Sequence, residues 1–329
     1  MFLLNIRIKR NLILIFIPLL ISLLFFILKI KDGTIHLKAE KKFIKYLEFN
    51  PTFEALRDAM NEDVKSHNEN INVISWIDIL AYLAAKYGGN FKKYKNIDLK
   101  EFVNELKTKK DVNEITKKMK FFPYYREGYS AVLSGFLGYR EIKNADGIIE
   151  KKYGLLVYSP IPKGFYFNHY DDFGASRNFG YKRVHLGNDL MCLTGVPVVA
   201  VEKGRIEIMG WNKYGGWRIG IRSFDEMRYY YYAHLRKNKP FNTKLKIGDF
   251  VEAGQVIGYV GRTGYSDKEN VNNISKSHLH LGLQIIFDES QKECNNEIWI
   301  NLYSIVELLE KNKSKVKRDE KTREFFKIN

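Results

Sequence analysis

The chain has little cysteine and comparatively little negative charge. Its two cysteines, Cys192 and Cys294, are too few for a disulfide framework. A single disulfide between them is one alternative, and two separate thiols are the simpler interpretation. Lysine and arginine number 54 against 38 aspartates and glutamates, which gives a formal net charge of +16 over 329 residues. No zinc-finger or RNP signature accompanies this charge, so it does not identify a nucleic-acid binder. Attraction to anionic polymers or lipid headgroups is equally consistent with it.

Long apolar runs are also scarce, and the one that stands out lies near the N-terminus. Leu12 to Leu28 is uncharged and is flanked by arginine and lysine on both sides. A membrane span needs about 20 apolar residues, with about 17 at the lower limit. No Ala-x-Ala-like site follows the run, which favours an uncleaved anchor over a cleaved signal peptide. We therefore expect residues 1–31 to be a single-pass membrane anchor, with the chain after about Asp32 outside the cytoplasm.

The next hundred residues show helical periodicity. Apolar positions at helical spacing, with turn residues between them, predict four helices: Phe53 to Val64, Val73 to Tyr87, Leu99 to Leu106 and Tyr129 to Leu137. No chemistry is evident there, and His36 and His67 are expected to be exposed. We interpret residues 32–146 as a helical accessory or stalk region.

From residue 147 the pattern changes to β-structure. Short β-branched or aromatic runs are separated by glycine turns or polar loops: Val196 to Val201, Arg205 to Met209, Trp217 to Arg222, Arg228 to Ala233 and His278 to Phe287. The tyrosines 229–232 suit a strand with core on one side and a cleft on the other. The sequence predicts an α+β multidomain chain whose residues 147–312 form a mainly antiparallel β domain. A final helix is expected over 299–311, and residues 313–329 form a basic, solvated tail.

Four of the seven histidines and one well-placed aspartate fall in the stretch from Arg183 to Ile286. They are His185, Asp189, His234, His278 and His280. A catalytic zinc keeps about three protein ligands and an open position, and needs neighbouring groups that move protons. His278 and His280 are two apart on a strand, so their side chains leave the same face. Gly187 lies in the turn between His185 and Asp189, where it lets the backbone bend. The His-Glu-x-x-His protease motif is absent.

These residues resemble the M23, lysostaphin/LytM-type, zinc metallopeptidases. The family reads His-x-x-x-Asp, then Tyr-x-His-Leu, then His-x-His, and this chain has His185…Asp189, Tyr232-Ala233-His234-Leu235 and His278-Leu279-His280. The segments between these motifs are also similar to the family: Gly195-Val196-Pro197-Val198-Val199-Ala200, Gly248-Asp249-Phe250-Val251, Gly254-Gln255-Val256-Ile257-Gly258 and Gly261-Arg262-Thr263-Gly264. The resemblance covers roughly the C-terminal half of the chain.

The resemblance implies roles for each of the five residues. It makes His185, Asp189 and His280 the ligands of one zinc ion. It makes His234 and His278 the catalytic pair, one taking a proton from the attacking water and the other hydrogen-bonding the oxyanion. It also implies a catalytic domain of LytM/lysostaphin fold. The segment from Tyr265 to Ser277 is longer than usual for the family. The resemblance therefore says least about substrate preference.

The resemblance and the apolar run together predict a function. We expect a membrane-anchored zinc endopeptidase that hydrolyses amide bonds in peptidoglycan stem peptides or cross-bridges. Its partners would be peptidoglycan, the membrane through the N-terminal helix and anionic wall polymers, with no nucleic acid. The alternative is a wall-binding scaffold or regulator of a division or sporulation complex that retains its zinc site.

Overall fold

The computed structural model describes residues 43–328, except 71, 109–110, 144–145, 181 and 294–295. The predicted anchor, Leu12 to Leu28, lies outside the described residues. Within the described part, no helix has the length and apolar character to cross a membrane. The chain from Ile44 onward forms one compact unit.

Helices fill the first third of this unit. They are α1 (Phe53–Glu69), α2 (Trp76–Tyr87), α3 (Asn96–Lys107), α4 (Val112–Thr116) and α5 (Phe122–Leu133), and α6 (Tyr303–Leu309) follows much later in the chain. α1 begins where the Thr52 hydroxyl accepts a hydrogen bond from the Ala55 amide, and α2 ends at Gly88, whose φ is +63°. The four helices predicted before residue 147 are present with shifted ends. The short α4 was missed, because five residues carry too little periodicity.

The remainder is a mainly antiparallel β domain, as predicted. The strands are β1 (Leu137–Lys143), β2 (Ile149–Leu155), β3 (Asn168–His169), β4 (Ser176–Arg177), β5 (Arg183–Val184), β6 (Asn188–Met191), β7 (Pro197–Val199), β8 (Gly204–Asn212), β9 (Gly216–Ser223), β10 (Arg228–Leu235), β11 (Phe250–Val251), β12 (Val256–Tyr259), β13 (His278–Ile285), β14 (Ile298–Trp299), β15 (Lys315–Arg318) and β16 (Phe325–Ile328). The principal sheet has the order β11-β8-β9-β10-β13-β6-β3, and β14 pairs with β13.

The tyrosine run on β10 shows how this sheet separates core from cleft. Tyr230 and Tyr232 are buried in the core cluster, and Tyr229 and Tyr231 line the cleft on the opposite face. This two-residue alternation follows from the pleat of a strand. The prediction that the run faces core on one side and cleft on the other is confirmed.

The helices share a hydrophobic core with the β domain. Arg228 of β10 is 1% exposed, and its guanidinium donates to the carbonyl oxygen of Ala131 in α5 at 2.9 Å. The same guanidinium is paired with Glu202 at 2.8 Å and with Asp225 at 2.7 Å. An arginine buried this deeply is tolerated only when its donors are satisfied. The boundary predicted at residues 146/147 is therefore crossed by a buried ionic network.

Two other sequence-based expectations differ from the structure. Residues expected as a solvated tail form the β15–β16 hairpin, in which Phe325 packs edge-on against Phe165 at 5.6 Å between ring centroids. Phe325 supplies the apolar contact, which the lysine-rich composition of this segment does not indicate. His67 is not exposed, because its ring stacks on Tyr153 at 3.8 Å. His36 lies outside the described residues.

Candidate active site

Three donor atoms from separate parts of the sequence converge at one end of β13. His185 Nε2 lies 3.0 Å from Asp189 Oδ1 and 2.9 Å from His280 Nδ1. His280 Nδ1 is 3.0 Å from the same oxygen of Asp189. The structure thus brings together the three residues predicted as metal ligands.

Sheet register accounts for this convergence. β13 pairs with β6 so that His280 stands directly opposite Asp189, and His278 stands opposite Met191. His278 and His280 occupy one face of β13, because successive residues of a strand point to opposite faces. The intervening Leu279 is fully buried on the core side. The prediction that both imidazoles leave the same face is confirmed.

His234 reaches the site through a break in the strand pattern. By alternation it would follow Tyr230 and Tyr232 toward the core. The β9–β10 register shifts between Tyr232 and Leu235, and His234 has a φ of +60°. A β-bulge changes the direction in which the surrounding side chains point. The backbone strain of such a conformation costs free energy and is found mainly at functional sites. The His234 ring consequently lies 4.8 Å from His278 and 5.8 Å from His280, measured between centroids.

Carbonyl oxygens fix which nitrogen of each imidazole faces the site. His234 Nδ1 donates to the Thr263 carbonyl at 2.9 Å, and His278 Nδ1 donates to the Lys276 carbonyl at 2.9 Å. His185 Nδ1 lies 3.2 Å from the carbonyl oxygen of Asp172. A carbonyl can only accept, so Nδ1 carries the hydrogen in these three rings and Nε2 keeps its lone pair. The three Nε2 atoms are available to a metal or a proton.

The carboxylate at the centre stays ionised. Burial raises the pKa of Asp189, but the His185 and His280 ring nitrogens beside it outweigh burial and hold the pKa well below its usual range. Arg177 supports the same carboxylate from its other oxygen, at 3.4 Å. Burial lowers the pKa of His280 and lowers that of His234 well below its usual value, so both imidazoles favour the neutral form.

The donor set fits a catalytic zinc ion. Two imidazole nitrogens and one ionised carboxylate oxygen are the ligand types that zinc prefers, and three is the number that leaves a position open. Their lone pairs face one another at 2.9–3.0 Å, which is unfavourable unless a cation or a shared proton lies between them. Asp172 and Arg177 hold the ligands from behind, as outer partners of metal ligands do.

Comparison with known proteins agrees with this geometry. The sequence model of Peptidase family M23 matches residues 183–295, a segment that contains all five predicted site residues. Residues 183–295 are an M23 domain.

Several relatives match part of the chain. The L-Ala--D-Glu endopeptidase of Bacillus subtilis (strain 168) is 40% identical over 124 residues, which are 38% of this chain and 36% of that protein. Lysostaphin of Staphylococcus simulans is 39% identical over 99 residues, 30% of this chain and 17% of that protein. The chain therefore matches about a third or less of the length of these relatives. A solved lytM structure from Ruminococcus gnavus ATCC 29149 covers 80% of this chain and 98% of its own at 21% identity, with a TM-score of 0.49.

The M23 domain has an open cleft above the five residues, with a volume of about 630 Å³. His185, Asp189, His234 and His280 line it directly. Aromatic residues contribute to its walls: Tyr214, Tyr265, Tyr229, Tyr231 and Trp299. An open cleft of this volume with aromatic walls can accept a segment of extended peptide.

Some residues of the M23 domain site were not found from the sequence. Asp172 and the carbonyls of Thr263 and Lys276 orient three imidazoles, yet no local pattern marks them. His169 is half-buried, and its ring stacks on Tyr303 at 4.6 Å between centroids. Cys192 has a free thiol, whose pKa burial raises to about 12, and Cys294 lies outside the described residues.

Gly187 has a different role from the one predicted. Its φ is not positive, so the bend alone does not require glycine. A Cβ at this position would lie 2.6 Å from the Leu281 carbonyl oxygen and 2.7 Å from His280 Cε1. Glycine is needed because the turn passes directly over the imidazole of a ligand.

We expect Gly187→Ala to weaken zinc binding, because the new methyl group must displace the His280 ring or the β13 backbone. A shift of about 1 Å is enough to impair a site that depends on convergent geometry. Competition with a chromogenic chelator measures the zinc affinity. Gly154→Ala is the matched control, since a Cβ there meets nothing within 4 Å. Equal zinc affinity in the two variants would contradict this interpretation.

Proposed function

We propose that the protein is a zinc-dependent endopeptidase that hydrolyses amide bonds in the peptides of peptidoglycan. The proposal is supported above all by one observation. Two additional imidazoles, His234 and His278, lie beside a three-donor cluster, and a structural metal would have no use for them. A structural zinc site is closed by four ligands, whereas a catalytic site keeps three and surrounds the open position with acid–base groups.

His185, Asp189 and His280 would hold the zinc, which supplies Lewis acidity and acidifies water when bound. His234 and His278 perform the proton work. Each donates its Nδ1 hydrogen to a backbone carbonyl, so Nε2 accepts a proton from the attacking water. The imidazole that has taken the proton becomes an Nε2–H donor to the oxyanion and can then protonate the leaving amine.

Of the two imidazoles assigned to proton transfer, His278 approaches the carboxylate of the cluster. Its Nε2 lies 3.7 Å from Asp189 Oδ1, which places this nitrogen beside the three-donor cluster. His234 has the cleft on one side and a buried backbone carbonyl on the other. Because the two rings are 4.8 Å apart, a single scissile amide can reach both.

The names of the relatives support peptidoglycan peptides as the substrate class. One relative is named for cleavage between L-Ala and D-Glu, and another is a glycyl-glycine endopeptidase of Staphylococcus capitis, 45% identical over 98 residues. These names include a stem-peptide bond and a bridge bond. The amide bond is common to both, and the aromatic cleft accepts an extended peptide in either case.

We also propose that the protein acts at the outer face of a cell membrane. The uncharged run from Leu12 to Leu28 with its flanking basic residues supports an anchor in that location. A net charge of +16 would then favour contact with anionic wall polymers. A scaffold that only binds the wall would not need His234 and His278, so we favour the enzyme.

A digest of purified peptidoglycan by the full-length protein tests the proposal. We expect new amino and carboxyl termini in the released muropeptides, detected by mass spectrometry, and their disappearance with a zinc chelator. Restoring zinc after the chelator must restore cleavage. A zinc-loaded protein that binds peptidoglycan but releases no new termini would support the scaffold alternative and reject the endopeptidase.

A further inference from the structure

Four cationic side chains line the cleft within the described part of the chain: Arg177, Arg183, Arg205 and Lys292. Three of them have carboxylate partners. Arg177 is paired with Asp172 at 2.6 Å, and both Arg205 and Lys292 approach Glu207, at 3.7 Å and 2.9 Å. Among the described residues, no carboxylate lies within ion-pair distance of Arg183. Arg183 is thus the cleft cation for which the described part of the chain provides no carboxylate partner.

Aromatic rings hold this guanidinium in a defined position. Arg183 Cζ lies 4.8 Å from the Tyr214 ring centroid and 5.1 Å from that of Tyr265. Phe179 stacks on Tyr265 at 4.9 Å and supplies a carbonyl oxygen that accepts from Arg183 Nη1 at 2.8 Å. Ring contacts engage the faces of a guanidinium and leave its edge for hydrogen bonds. The remaining N–H groups of Arg183 have no acceptor among the described residues.

The position of the charge relates it to the reaction site. Tyr265, which contacts Arg183, also lies 5.7 Å from the His234 ring between centroids. Arg183 lies on β5, two residues before His185. The same short stretch of the chain therefore supplies both a metal donor and the cation. Tyr265 opens the segment from Tyr265 to Ser277, whose length departs from the usual family pattern. The long loop thus contributes directly to the surroundings of Arg183.

We propose that Arg183 binds a carboxylate of the substrate peptide and thereby selects stem peptides over uncharged glycine bridges. This inference rests on the proposed endopeptidase function and specifies its substrate. A planar guanidinium with a free edge forms two parallel hydrogen bonds to a carboxylate, an arrangement that a carboxamide cannot match. A stem peptide offers two such groups, the α-carboxylate of its D-glutamate and its C-terminal carboxylate. A run of glycines inside a bridge offers none.

Matched synthetic substrates separate these sources. We would measure kcat and KM of the full-length protein on a stem tetrapeptide with lysine as its third residue, on its analogue with D-isoglutamine in place of D-glutamate, on its analogue with a C-terminal carboxamide, and on pentaglycine amide. We expect amidation of one of the two carboxylates to lower kcat/KM by about tenfold or more, chiefly through KM, since a charged hydrogen bond is lost. The analogue that suffers the loss identifies the bound group.

Variants link the effect to Arg183. In Arg183→Gln the preference for the carboxylate over the carboxamide should disappear, while cleavage of the amidated analogue changes little. Arg183→Lys keeps the charge without the planar fork and should retain part of the preference. Lys182→Gln removes the same charge from the adjacent exposed residue and should leave the preference unchanged. Zinc content and thermal unfolding show whether each variant is folded and loaded.

The outcomes distinguish two failures. If the wild type cleaves the tetrapeptide and both amidated analogues equally well, or prefers pentaglycine amide, the role of Arg183 is wrong while the endopeptidase stands. If the zinc-loaded wild type cleaves none of these peptides and releases no new termini from peptidoglycan, the proposed function itself fails. A carboxylate preference that survives in Arg183→Gln would assign recognition to another residue and overturn the inference.

Discussion

Replacing His280 with alanine should remove bound zinc and peptide cleavage together. His280 Nδ1 lies 2.9 Å from His185 Nε2 and 3.0 Å from Asp189 Oδ1, so only two donors remain without it. Loss of an outer partner typically lowers metal affinity by about 10- to 100-fold, and loss of a direct ligand should exceed that. Elemental analysis of the purified variant measures zinc, and peptidoglycan digestion measures activity.

His234→Ala is the informative control for this variant. Its imidazole contributes no atom to the three-donor cluster, so zinc should stay bound at wild-type stoichiometry. Turnover should fall by about 10²–10⁴, the usual contribution of a positioned acid–base group. Near-wild-type cleavage by His234→Ala would remove His234 from the catalytic pair. Full zinc occupancy in His280→Ala would show that the ligand set is wrong.

A fragment that starts at Lys151 should fail to fold, although it contains the whole M23 domain. It lacks the Ala131 carbonyl that satisfies the buried Arg228, and the Phe136 carbonyl that accepts from the Leu156 amide at 2.8 Å. It also exposes the apolar surface on which α1 and α5 pack, at about 25 cal/mol per Å² of apolar area. A buried arginine left with an unsatisfied donor adds to that cost.

The fragment Ile44–Asn329 is the matched comparison, because it keeps the entire compact unit. We expect it to be monodisperse on gel filtration and to unfold cooperatively on heating. The fragment Lys151–Asn329 should aggregate or show no near-UV circular dichroism. Cooperative unfolding of both fragments at one temperature would mean that the helices are dispensable for the fold.

Features that depend on residues close together in the sequence were predicted correctly. The tyrosine run indicated a strand with the core on one side and a cleft on the other, because successive residues of a strand point to opposite faces. His-x-His revealed two imidazoles on one strand face for the same reason. Helix starts and stops at Thr52 and Gly88 were likewise encoded by side-chain capping and by the left-handed φ that glycine accepts.

Features that depend on distant partners were not predictable in this way. The shared core with the helices depends on contacts such as Arg228 to Ala131, which are 97 residues apart in sequence. The C-terminal hairpin was mistaken for a tail because its partners lie far upstream. Phe325 packs against the ring of Phe165, and its amide donates a hydrogen bond to the Tyr259 hydroxyl. The need for glycine at position 187 becomes apparent only when the His280 ring is placed beneath it.

The bulge at His234 has an evolutionary consequence. Whether this imidazole faces the reaction or the interior is decided by the number of residues in β10, because one residue changes the phase of every side chain beyond it. An in-frame deletion of one β10 codon before His234 would leave all five site residues encoded and yet turn this imidazole toward the apolar side. Insertions and deletions are therefore a route to inactive descendants that substitution patterns alone would not reveal. Genes that all encode the five site residues can still differ in whether their product is an active enzyme.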